Sequence, residues 1–183
     1  MKHDNIINQL VANAEKDPNT FGFFVFGSVA TGTQREDSDL DILTVLQVYK
    51  ASYGIKHTNI DGIEVGNILF TYQVLAESIE TVPYLLHPIA TAKLVLDPQG
   101  LISPLHERIT SYFMEHPEIT EEWNNYRLLQ KEEKAKYGHE LTTIVDVWNE
   151  LEKRHYGGKI KRPFFNAFYM TNPHLFSILK RLM

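Results

Sequence analysis

The sequence contains no cysteine and no long apolar run, and both absences narrow the class of protein. A chain without cysteine forms no disulfide and no thiolate metal site. No window approaches the roughly 20 apolar residues that a membrane-spanning helix needs. The N-terminal residues also lack the apolar core of a secretory signal. We therefore expect a cytoplasmic protein with no membrane partner.

Positive charge is scarce as well. The chain has 18 Lys and Arg residues against 23 Asp and Glu residues, which gives a formal net charge of −5. Nucleic-acid-binding proteins usually present a basic face, so we expect no nucleic-acid partner. The 183 residues, 43% of them hydrophobic, are enough for one compact domain, with or without an appended subdomain.

The first hundred residues alternate between helical and strand patterns. An apolar stripe predicts a helix over residues 4–16, and a short aromatic run predicts a buried strand over 21–26. Asp61-Gly62 is a strong hairpin signal between two β-prone stretches. Further strands are predicted over 39–47, 52–60, 63–71 and 93–96, with a helix over 73–81.

From about residue 103 the pattern is helical, with three stretches and no clear strand. Thr120 is the predicted N-cap of one helix, and an apolar face over residues 141–151 predicts another. The sequence thus predicts an α+β fold, in which a small mixed β-sheet with flanking helices is followed by a C-terminal helical subdomain. The expected units are residues 1–102 and 103–183.

Two acids open the second predicted strand. Side chains alternate along a strand, so Asp39 and Asp41 should share one face. Their mutual repulsion would be offset by a hard divalent cation such as Mg²⁺, which prefers oxygen ligands. Mg²⁺ usually completes its shell with water and substrate phosphate, so the pair indicates phosphoryl or nucleotidyl chemistry.

A third acid, Glu64, lies between apolar neighbours in the strand after the Asp-Gly turn. If that strand lies beside the Asp39 strand, three carboxylates can hold two metal ions, or hold one and leave a general base. Asp61 competes for this role, but the predicted turn removes it from the strand.

The Gly27-Ser28 pair directly follows the first predicted strand. Glycine allows the backbone to approach a ligand closely, and amides at the start of a short helix bind phosphate. The Ser28 hydroxyl can add another donor.

Together these residues resemble the nucleotidyltransferase superfamily with the DNA polymerase β-like fold, whose signature is Gly-Ser followed by Asp-x-Asp. Asp39 comes eleven residues after Ser28, and the finer pattern GSxxxG…SDxD is similar to minimal and aminoglycoside nucleotidyltransferases. The family commonly has Ala-Arg-Gly in this loop, whereas this chain has threonine at position 31. The loop therefore lacks the positively charged side chain of that arginine. The motif resemblance covers residues 21–70.

The resemblance implies transfer of a nucleoside monophosphate, most often AMP from ATP, to the hydroxyl of a small acceptor such as an aminoglycoside. Asp39, Asp41 and Glu64 would be the catalytic and metal-ligating residues for Mg²⁺, with two ions expected, and Glu64 would act as metal ligand or base. The nucleotide-binding residues would be Gly27, Ser28, Ser38, and Lys159 or Lys161 from the basic run KRHYGGKIKR.

Two other functions are consistent with the same residues. Minimal nucleotidyltransferases often serve as antitoxins that bind or adenylylate a helical toxin, although such proteins are usually shorter. A nucleotide-binding protein without catalysis is the third interpretation, and the intact set of carboxylates argues against it. Relatives that complete their site by dimerisation also leave a homodimer open.

Overall fold

The computed structural model describes residues 2–49, 53–81 and 86–142. The basic run with Lys159 and Lys161 lies outside these ranges, as does all but the start of the helix predicted over 141–151. No helix of the described residues has both the length and the apolar character to cross a membrane.

The described elements follow the predicted order closely. They are α1 (Lys2–Ala14), β1 (Thr20–Phe26), α2 (Gly27–Thr31), β2 (Leu40–Leu46), β3 (Tyr53–Ile60), β4 (Ile63–Thr71), α3 (Tyr72–Thr81), α4 (His87–Ala90), β5 (Lys93–Leu96), α5 (Ile102–Glu115) and α6 (Pro117–Tyr137).

The strands form one mixed five-stranded sheet in the order β3-β4-β2-β1-β5. The β2 strand lies at its centre, antiparallel to β1 and parallel to β4. Both faces of β2 are covered by helices, which explains why its sequence LDILTVL is almost continuously apolar. The α+β class with a mixed sheet and flanking helices is therefore confirmed.

Each face of the sheet has its own core. Leu40 and Ile42 of β2 face α1 and pack with Ile6. Leu43 and Phe24 face the opposite way, towards α3, α4, α5 and α6. The alternation of β2 thus assigns Asp41 to the second face, together with Leu43.

The predicted hairpin joins β3 to β4. Asp61 and Gly62 both have positive φ, 51° and 80°, as a two-residue type I′ turn requires. The Asn59 side chain accepts a hydrogen bond from the Gly62 amide at 3.0 Å. This turn pairs His57 with Gly66 across the two strands.

The predicted cap at Thr120 is wrong, because α6 begins three residues earlier, at Pro117. Proline suits the first helical turn, where its missing N–H would have no partner. Ile119 is buried in the core and fixes that first turn against α5. The short α4 was not predicted, since four residues are too few for a periodic pattern.

Helix α5 packs directly on the sheet. Its apolar face joins the core of Phe24 through Ile102, Leu105, Ile109 and Phe113. Asp97, just after β5, accepts hydrogen bonds from the amides of Ile102 and Ser103 and from the Ser103 hydroxyl, at 2.7–3.2 Å. The division at residues 102 and 103 stays a prediction.

Candidate active site

Asp41 lies near the start of β2 and is half-buried, while Asp39 is exposed in the turn that precedes the strand. Burial, reinforced by the negative charge of Asp39, raises the pKa of the Asp41 carboxyl. His57 and Arg127 act in the opposite direction on this pKa, and Glu64 raises it further. The ionised Asp41 is thus electrostatically unfavourable, as expected of a carboxylate placed to bind a cation.

The Gly27 backbone packs against this carboxylate. Gly27 follows β1 directly and has a φ of 68°, which favours glycine. A Cβ atom at this position would lie 2.6 Å from Oδ2 of Asp41. The antiparallel pairing of Phe26 with Asp41 creates this contact. Gly27 of the Gly-Ser pair therefore contacts Asp41 of the Asp-x-Asp pair.

Thr31, which stands where the resembled family commonly has arginine, helps to hold α2. Its hydroxyl lies 3.2 Å from the carbonyl oxygen of Gly27 and 3.1 Å from that of Ser28. Gly32 ends the helix in the left-handed conformation. The threonine thus stabilises the turn but brings no positive charge to it.

Ser38 is held from two sides. Its hydroxyl accepts a hydrogen bond from the Arg35 amide at 2.8 Å. Its carbonyl accepts one, also 2.8 Å long, from Nε2 of His3, which is only 3% exposed. These contacts fix the backbone immediately before Asp39. A role for Ser38 in nucleotide binding stays a prediction.

Glu64 lies on the same face of the sheet as Asp41. In the parallel pairing of β2 and β4, Asp41 lies opposite Gly66, and Glu64 is two residues earlier in β4. Its neighbours Ile63 and Val65 are buried on the other face. Asp61 is in the turn between β3 and β4, outside both strands. Glu64 Oε1 lies 3.1 Å from Nδ1 of His57.

The described residues do not form a complete metal site by themselves. Residues 2–49, 53–81 and 86–142 contain no group of three or more His, Asp or Glu side chains placed to hold a metal ion. The adjacent charges of Asp39 and Asp41, with the Gly27 backbone against one of them, nevertheless fit Mg²⁺, which needs only one or two carboxylates when phosphate and water complete its shell. The expected second ion stays a prediction.

Two residues near the carboxylates were not predicted. His57 had no metal-ligand spacing in the sequence, but the two-residue turn determines the hairpin register and could have located it opposite Gly66. Arg127 is exposed on α6, and its charge reaches Asp41. Its Nη1 donates to Oε1 of buried Gln130 at 2.9 Å. No local sequence signal indicates an electrostatic interaction between α6 and Asp41.

A family model covers most of this chain. The family model described as "Nucleotidyltransferase domain" matches residues 7–167. No curated protein matches the chain.

Among solved structures, a nucleotidyltransferase-like protein from Exiguobacterium sibiricum has 11% identity and a TM-score of 0.45, covering 91% of this chain and 72% of its own. A toxin-antitoxin structure with AMP-PNP has 18% identity and a TM-score of 0.36, covering 74% and 94%. Likenesses this weak carry no functional argument.

Proposed function

This chain belongs to the nucleotidyltransferase domain family and is a transferase enzyme, and on that premise we propose that it transfers a nucleoside monophosphate to the hydroxyl of a small molecule. The proposed donor is ATP, which would contribute AMP, and the proposed cofactor is Mg²⁺. The observation that carries the proposal is the contact between Gly27 and Asp41, where a Cβ would approach Oδ2 to 2.6 Å.

The contact places the Asp41 carboxylate beside the backbone of Gly27, which a ligand can approach closely because glycine has no side chain. Asp41 with Asp39 attracts a divalent cation, and the backbone of Gly27 and Ser28 offers amides to phosphate oxygens at the same point. A metal–triphosphate complex fits both groups, because the carboxylates can bind its metal ion and the backbone amides can donate hydrogen bonds to its phosphates.

We assign the metal-ligating roles to Asp39 and Asp41, with Glu64 as a further ligand or as the base that takes the proton of the acceptor hydroxyl. When bound, Mg²⁺ neutralises charge on the triphosphate and stabilises the pyrophosphate leaving group. Burial of Asp41 strengthens its attraction for the cation, since the surrounding dielectric is lower than that of water.

The cation missing from the loop has a substitute in α6. The positive charge of Arg127 partly opposes the rise in the pKa of the Asp41 carboxyl, so the two side chains interact electrostatically. We propose Arg127 as a phosphate-binding residue, since a guanidinium suits bidentate contacts with phosphate oxygens. Lys159 and Lys161 remain proposed for the same purpose and lie outside the described residues.

The acceptor is proposed by class alone. An aminoglycoside is the first candidate, because the motif form GSxxxG…SDxD resembles the aminoglycoside enzymes. A helical protein partner, as for the antitoxins that share the motif, is the alternative outcome of the same assay.

The test is transfer from ATP labelled at the α-phosphate, with Mg²⁺ and a panel of aminoglycosides. Label should reach an acceptor with release of pyrophosphate, and Asp41→Asn should abolish transfer. Absence of transfer to every aminoglycoside would remove that class, whereas label on a helical protein would favour the alternative. Unchanged Mg²⁺-dependent nucleotide binding in Asp39→Asn and Asp41→Asn would overturn the site itself.

A further inference from the structure

The third carboxylate of the site has a neighbour with no assigned role. Nδ1 of His57 lies 3.1 Å from Oε1 of Glu64. An ionised carboxylate only accepts hydrogen bonds, so Nδ1 must carry the hydrogen and donate. The contact therefore fixes the tautomer of a neutral His57, with its lone pair on Nε2.

The hairpin register brings these two side chains together. His57 is paired with Gly66, and Glu64 lies diagonally across from it, two residues earlier in β4. Diagonal neighbours on one face are within reach of long side chains. The two-residue turn sets this register, so the contact follows from the fold of the hairpin.

Gly66 leaves a gap between this pair and Asp41. A Cβ atom on Gly66 would lie 3.5 Å from Oδ1 of Asp41 and 3.8 Å from Cε1 of His57. The carboxylate of β2 and the imidazole of β3 thus border the same space above β4. A larger residue at this position would fill the gap that separates them.

The pair contributes little to the stability of the fold. The side chains of His57 and Glu64 are 64% and 57% exposed, and exposed pairs of this kind are weak. Its effect is on orientation. Glu64 is a long side chain whose negative charge acts on Asp41, and repulsion between the two carboxylates would turn an unrestrained Glu64 away.

We propose that His57 is a positioning residue, whose Nδ1–H holds the Glu64 carboxylate beside Asp41 for the incoming metal–nucleotide complex. This inference rests on the proposed function and deepens it, because it concerns the same site. Loss of a hydrogen-bond partner that orients a metal-ligating side chain typically weakens metal binding by about 10–100-fold.

The test is the affinity of the full chain for Mn²⁺ with a non-hydrolysable ATP analogue, measured by calorimetry and by the electron paramagnetic resonance of bound Mn²⁺. His57→Leu removes the donor, whereas Nδ2 of His57→Asn can take the place of Nδ1. His57→Leu should bind the complex about tenfold more weakly, and His57→Asn should restore most of the affinity. His57→Ala serves as a second donor-free variant if the leucine variant does not fold.

A double-mutant cycle with Glu64→Ala separates orientation from a direct contact. In the Glu64→Ala background, loss of the His57 donor should have no further effect on Mn²⁺–nucleotide affinity. An unchanged affinity in His57→Leu, or a loss that persists without Glu64, would overturn the inference. Asp41→Asn distinguishes a failure of the His57 inference from a failure of the proposed function. If Asp41→Asn still binds the Mn²⁺–nucleotide complex normally, the proposed function itself is contradicted.

Discussion

Gly27 and Asp41 are packed so closely that a Cβ atom on the glycine would lie 2.6 Å from Oδ2 of the aspartate. The contact joins the end of β1 to the start of β2. It brings a residue of the Gly-Ser motif against a residue of the Asp-x-Asp motif. Any side chain at position 27 must displace the Asp41 carboxylate or itself be displaced. Position 27 therefore accepts only glycine without a change in the position of Asp41.

Gly27→Ala should therefore weaken Mg²⁺–ATP binding through displacement of the Asp41 carboxylate. Gly32→Ala is the matched control, because Gly32 also has a positive φ, 72°, but a Cβ there would meet no atom within 4 Å. Gly32→Ala should lose about 1–2 kcal/mol of folding stability from the left-handed conformation, and Gly27→Ala should lose at least as much. Calorimetric titration with the nucleotide complex, beside denaturant unfolding, distinguishes them, and equal losses of binding would argue against the contact.

Removing the charge of Asp41 should stabilise the metal-free protein at neutral pH. Burial and the negative charge of Asp39 raise the pKa of Asp41 above its ordinary value of 3.8, so the folded protein binds this proton more tightly than the unfolded chain. The resulting stability is present below pH 3.8 and is lost as the pH rises through the raised value.

The melting temperature of Asp41→Asn in EDTA should accordingly exceed that of the natural chain at pH 7, and the gap should narrow towards pH 4. Mg²⁺ with nucleotide should raise the melting temperature of the natural chain only. A variant less stable than the natural chain in EDTA at pH 7 would contradict the electrostatic interpretation of the site.

Asp97 caps α5 by accepting hydrogen bonds from the amides of Ile102 and Ser103. This cap should stabilise the junction between β5 and α5. Burial alone would raise the pKa of Asp97, but hydrogen bonds from Ser103 and the amide of Ile102 hold it below 3.8. Since the folded-state pKa is lowered, its stabilisation is present above pH 3.8 and is lost as the pH falls through the folded value. Asp97→Ala should cost about 1–2 kcal/mol at pH 7 and much less at pH 2.

Urea unfolding at both pH values measures this difference. Asp37→Ala is the control, because it removes only an exposed ion pair with Arg35 and should leave the unfolding midpoint nearly unchanged. Equal effects of the two substitutions at pH 7 would rule out a special role for the cap.

Arg127→Gln should weaken nucleotide binding by about tenfold, the order expected for one charge-assisted hydrogen bond to phosphate. The loss should shrink at high salt, which screens charges that remain accessible to solvent. Arg35→Gln changes the net charge equally but removes a cation paired with Asp37, so it serves as the control. If Lys159→Gln or Lys161→Gln abolishes binding while Arg127→Gln does not, the phosphate cation lies outside α6.

Local chemistry was sufficient to predict most of the fold. Asp61-Gly62 determined both the hairpin and its register, since only a few turn types fit two residues with positive φ. The alternation in β2 puts Leu40 and Ile42 on the face opposite Asp41, where both are buried in the core that faces α1. The start of α6 was mispredicted because Thr120 is an intrinsically good cap, but burial of Ile119 and the preceding Pro117 determine the true start.

The site was less predictable, because much of it depends on contacts between distant segments. The sequence pattern indicated the Asp-x-Asp pair, and hairpin register alone puts His57 opposite Gly66. Arg127 is different, since its charge interaction with Asp41 depends on how α6, a largely polar helix far along the chain, packs on the rest of the fold. Sequence periodicity does not encode such a relationship.

The central position of β2 has a consequence for synthesis on the ribosome. Its partner β1 has already emerged when β2 is made, but its other partner, β4, comes after β3 and the turn. Until then one edge of the apolar segment LDILTVL has no partner strand, and such an edge is prone to aggregation. The pairing of β4 that places Glu64 on the same face of the sheet as Asp41 also covers this edge, so one pairing step both protects the apolar strand and aligns the two acids on one face.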